Sequence, residues 1–216
     1  MSKFFYIWLF LAGAMAGTAE IIDRIAVVVD KMVITESDVV NHLRIASFLN
    51  GEPVSLTNEE RREAANRLVE QLLVRREMEI SRYPAPAPAD VDPVLGEFRA
   101  RRYPEEGSYK RALAEYGVSD ADVRESLLLQ LTLLRFIQFR FRPGVALDDS
   151  EVEAYYRNEF NTEWSSRNTT PPPPLDDVRD EIEEILIEAH VDEALDNWLE
   201  ETTALARIRY IEEAFQ

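Results

Sequence analysis

The 216-residue sequence contains no cysteine, only 2 histidines and only 7 glycines. Without thiols, neither disulfide staples nor thiolate metal sites can hold the fold, so stability has to come from a packed apolar core. Two imidazoles, His42 and His190, make a poor metal site without a third ligand, and helix residues that are solvated or partly buried explain them more simply. Basic residues are outnumbered as well: 24 face 41 acidic ones, a net charge of −17. A surplus of that sign repels polyphosphate backbones and anionic lipid faces, which argues against nucleic acid as a partner. No Gly-x-x-x-x-Gly-Lys loop is present, so nucleotide binding has no support either. No segment after the first twenty residues approaches the roughly 20 apolar residues that a membrane-spanning helix needs.

The chain opens with one cation, Lys3, an apolar run from Phe4 to Ala16, and the small residues Gly17 and Ala19. That is the layout of a cleavable secretory signal over residues 1–19, with the mature chain starting at Glu20. A lipid anchor on the processed end would need a cysteine, so the product is expected to be soluble, periplasmic and not stably inserted in a membrane.

Scarce glycine and mostly helical periodicity predict a mainly α-helical body. Ile25 to Val29 is rich in β-branched residues on both faces and reads as a buried strand, with Met32 to Ile34 returning after Asp30-Lys31. Thr35 or Ser37 offers a cap for a helix to about Asn50. Thr57-Asn-Glu-Glu60 has the form of a capping box, opening a helix to about Arg82 whose apolar stripe runs from Ala65 to Ile80. Three prolines make Tyr83 to Ala89 extended. Asp90, Pro104 and Ser119-Asp-Ala-Asp122 begin further helices. The third of these carries Val123, Leu127, Leu131, Leu134, Ile137 and Phe141 in one stripe, and Leu128, Leu129, Leu133, Phe136 and Phe139 over much of its remaining surface. Such a helix must be buried or must leave a face for something else to cover. A short helix follows from Asp148 to Phe160, then a polar stretch from Asn161 to Thr170, then Pro171 to Pro174 as a stiff extended spacer. A long helix, kinked near His190, and a closing strand from Arg207 to Ile211 complete the chain.

Three of these pieces resemble one family in the same order. Ile21 to Asp38 is similar to the opening strand, hairpin and helix of SurA-type periplasmic chaperones; Leu147 to Phe160 looks like the helix leading into their isomerase domain; and Pro173 to Glu184 looks like the segment returning from it. The resemblance implies a multi-helix chaperone domain (residues 20–142) and a small β element in which the terminal strand pairs with the opening one. Residues 175–216 would complete that domain, and residues 143–174 would be a connector. The connector is too short for an independent domain, which takes roughly 50 residues. The parvulin-type prolyl isomerase domain therefore looks absent, and with it the catalytic residues. What is implied is an ATP-independent chaperone, without cofactor or metal, for unfolded secreted and outer-membrane proteins. A degenerate peptidyl-prolyl isomerase and a dedicated periplasmic adaptor are the alternatives, and a homodimer exchanging C-terminal segments is a further expectation.

The residues that suit extended clients are aromatic: Phe136, Phe139 and Phe141 on one helix, Tyr155, Tyr156 and Phe160 on another, and Trp164 on the loop beyond. For each, core packing is the plainer reading, and Trp198 is placed in the core. Asp148-Asp149 and Asp176-Asp177 stand at helix starts, where free amides already favour anions. The proline run reads as a linker, with a ligand for a proline-binding module as the second reading.

Overall fold

In the computed structural model, residues 23–216 are described; the expected leader and residues 20–22 lie outside them. The protein is mainly α-helical, with a small three-stranded antiparallel sheet built from both ends of the described chain. β1 (Ile25–Val29) is the central strand, flanked by β2 (Met32–Thr35) and β3 (Ile208–Tyr210), in the order β2-β1-β3. Val28 lies opposite Val33 on one side and Arg209 on the other. The hairpin turns tightly at Asp30-Lys31 because Asp30 takes a left-handed backbone, φ +55°, which aspartate tolerates better than most side chains. Ala26, Val27 and Val29 are all buried, as a strand covered on both faces requires.

The helices begin where their caps place them. Thr35 starts α1 (Glu36–Asn50), Thr57 starts α2 (Asn58–Ser81) and Ser119 starts α5 (Asp120–Phe141), each in a reciprocal capping box with the acid three residues on. Gly51 ends α1 at φ +70°, and Arg102 closes over it by donating to the Asn50 carbonyl at 2.9 Å. α3 (Asp92–Arg102) and α4 (Ser108–Tyr116) are short connectors between α2 and α5, packed under α1.

Three apolar clusters hold these elements. The sheet, the first half of α1, α2, and the terminal Ala214 and Phe215 form one, with Trp198 packed against its margin. Phe48 centres the second: it stacks on Tyr103 at 5.6 Å and meets Phe98, Tyr109 and Tyr116 edge-on. The third joins Val74 and Met78 of α2 to Phe136 of α5 and to Leu195, Trp198 and Leu199 of α8 (Leu175–Leu205). α8 runs unbroken through His190, so the expected kink is absent; neither proline nor glycine interrupts it.

Two further expectations are corrected. The polar stretch after Asn161 is helical: α6 (Asp149–Tyr155) continues through one π-helical turn, Tyr156–Phe160, into α7 (Asn161–Arg167). Its polar side chains are satisfied within the rod, Thr162 and Ser165 donating to carbonyls four residues before them. The stripes also misplace three residues, since Leu134 is 58 % exposed and Ile80 70 %, whereas Phe136, from the second set on α5, is 1 % exposed. α5 is apolar on several sides, and the elements packed on it decide which side is covered: α1, α3 and α4 near its start, α2 and α8 further along.

Candidate functional site

A cleft of about 350 Å³ lies between β2, α1, α2 and α5. Its apolar lining comes from Val33 and Ile34 of β2, Ile45 of α1, Leu68 and Leu72 of α2, and Leu129 of α5. Amphipathic spacing explains the mixed lining: each helix turns its stripe inward and the flanking positions supply a rim, including Asn41, Gln71, Arg75 and Glu125. The cleft opens along Val33, which is half exposed on an edge strand. His42 stands in it, and its pKa is lowered from the usual 6.5 first by burial and then by the Arg67 charge, so the imidazole is neutral near pH 7. His190 has other surroundings: its Nε2 lies 3.1 Å from a Glu151 carboxylate oxygen across α6 and α8. Among the described residues no group of three or more histidine or acidic side chains can hold a metal. The cleft can take apolar side chains against its apolar lining and satisfy polar groups at its rim.

The seven aromatics fall into two sets. On α5, Phe136 is buried edge-on against Tyr83 at 5.2 Å and serves the core; Phe139 is 61 % exposed with one face against the same tyrosine; Phe141 is half-buried beside Trp198 at 6.1 Å. The second set stands on the rod from α6 to α7. Tyr156, Phe160 and Trp164 stack in sequence, with ring centroids 5.8 and 6.0 Å apart and planes within 25° of parallel. Tyr155 points away from them, as adjacent helical residues must, and burial followed by the charges of Glu159, Glu163 and Glu181 raises its phenol above 10.0.

The stacked rings are covered from within the chain. Trp164 Nε1–H donates to the Thr170 carbonyl at 3.0 Å, and the Tyr156 hydroxyl donates to the Pro173 carbonyl at 2.7 Å. Pro172 and Pro173 are half-buried. Sequence reading missed these two carbonyl acceptors, although rings at intervals of four ahead of a proline run were the signal that was there to find.

In comparisons with known proteins, no protein-family model matches this chain and no curated protein matches it.

Proposed function

We propose that the protein is an ATP-independent holding chaperone of the periplasm, binding extended segments of unfolded secreted and outer-membrane proteins. The observation that carries this reading is the cleft beside β2. An extended client lying there meets an edge strand with free backbone groups, an apolar lining and a polar rim that satisfies what the lining cannot. Covering about 200 Å² of apolar client and lining surface contributes about 5 kcal/mol. Ordering about four client residues costs about 4–8 kcal/mol in backbone freedom. The terms nearly cancel, so holding is weak and reversible, which suits a chaperone that works without nucleotide. Phe139 and Leu134 add exposed apolar side chains elsewhere on α5. The resemblance of the opening and returning segments to SurA-type chaperones supports the same class of client, and the leader supports the compartment.

The test is aggregation of several unfolded β-barrel outer-membrane proteins with purified residues 20–216 and no nucleotide. Suppression is expected, and Val33→Asp, which sets a charge at the cleft mouth, is expected to weaken it. No suppression for any client would end the reading.

A further inference from the structure

Tyr156, Phe160 and Trp164 lie four residues apart, and in a uniform α-helix each such step rotates the side chain by about 40°. Positions i, i+4 and i+8 stay on one face of a helix, so the three rings form one row that drifts slowly around it. The π-helical turn at Tyr156–Phe160 takes more residues per turn and offsets part of that drift across the first step. Pro174 sits at φ −57° and ψ 150°, within the polyproline II range, where three residues make a turn and rise about 9 Å. Thr170 and Pro173 lie three residues apart, and their carbonyls accept from the two ends of the ladder, Trp164 and Tyr156. Aromatic side chains beside a proline run, with N–H and O–H donors for carbonyls three residues apart, are elements by which polyproline segments are recognised.

We infer that the Tyr156-Phe160-Trp164 ladder is a polyproline-binding site, filled at rest by the chain's own Thr170–Pro174 strap and open to a proline-rich segment of a partner polypeptide. The occupant's chemistry follows from the strap and from the charge around it. Arg157 and Arg167 are engaged by Glu153 and Glu163, whereas Glu159, Asp176 and Asp177 have no ion pair among the described residues. A partner with lysine or arginine flanking its prolines gains where the strap offers nothing. The strap, tethered through Asn168 and Thr169, competes at an effective concentration in the millimolar range. Only a ligand with that added charge, or one tethered elsewhere on the protein, displaces it. This inference stands apart from the chaperone reading, since it rests on a different surface.

The test uses a probe peptide with the strap's Thr-Pro-Pro-Pro-Pro sequence between lysines, and a control peptide with glycine in place of the prolines. Binding is read from the Trp164 indole N–H resonance, assigned through Trp164→Phe. Pro172→Gly with Pro173→Gly empties the ladder while keeping the chain length to α8. The probe is expected to bind that variant at least about tenfold more tightly than the unaltered protein. Adding Tyr156→Phe is expected to weaken binding again. If the double variant loses its helical circular dichroism, the unaltered protein at millimolar probe still decides, because displacement of the strap must shift the indole resonance saturably. Absence of any saturable shift, equal binding of the control peptide, or a dimer whose cross-links join Trp164 of one copy to Pro173 of the other would each overturn the inference.

Discussion

Asp30 and Arg207 hold one another across 177 positions of sequence. The Asp30 amide donates to the Arg207 carbonyl at 3.0 Å, and the Arg207 amide donates to the Asp30 carboxylate at 3.1 Å. Arg76 of α2 donates to the other carboxylate oxygen at 2.8 Å. One residue in the tight turn of the first hairpin therefore fixes the start of the last strand and ties both to the central helix.

The Asp30 carboxyl is held below its usual 3.8, first by the Arg207 amide and then by Arg76, with desolvation opposing. A carboxylate depressed in the folded state stabilises it fully above the ordinary value, and that contribution is lost as pH falls through the folded pKa. Acidification below about pH 4 is expected to loosen β3. Hydrogen exchange at Ile208–Tyr210 checks this: protection should fall on acidification in the wild type and be already reduced at neutral pH in Asp30→Asn. Equal protection in both proteins would show that the side chain does not anchor the strand.

Phe136 and Phe139 stand three residues apart on one helix and should behave oppositely. Phe136→Ala opens a cavity where α2, α5 and α8 meet and is expected to cost about 3–5 kcal/mol in urea unfolding. Phe139→Ala removes a ring that is 61 % exposed and is expected to cost less than about 1 kcal/mol while weakening client holding. If the stability losses were equal, the assignment of these two faces would be wrong.

Burial and Arg67 hold the His42 imidazole below its usual 6.5. The unfolded chain then takes up a proton that the folded one refuses, so stability is undiminished above about pH 6.5 and declines below it until the folded imidazole itself titrates. Denaturant midpoints between pH 7.5 and 5.5 should fall on acidification, and His42→Gln should flatten that slope. An unchanged slope in the variant would exclude His42 as its source.

Much of the fold was legible because its signals are local. Thr57 with Glu60, and Ser119 with Asp122, need only one turn of chain to satisfy each other, so the helix starts stand where the sequence places them. The β-branched run from Ile25 and the short strand after Arg207 likewise announce themselves. The cleft was not legible, because Val33, Leu72 and Leu129 come from three elements and look like ordinary stripe residues until those elements are packed. Trp164 was read as a loop residue because its neighbours are polar, and the hydrogen bonds that satisfy them within the rod are invisible in composition.

What the sequence determined by itself is where the capped helices start, the exclusion of thiol chemistry, and the presence of more apolar surface on α5 than one neighbour can cover. Only the tertiary structure decided which of that surface is hidden, burying Phe136 and leaving Phe139 out, and only it laid Thr170 and Pro173 against Trp164 and Tyr156. Caps and turns are settled by groups a few bonds apart, whereas the covering of a face depends on where distant segments come to rest.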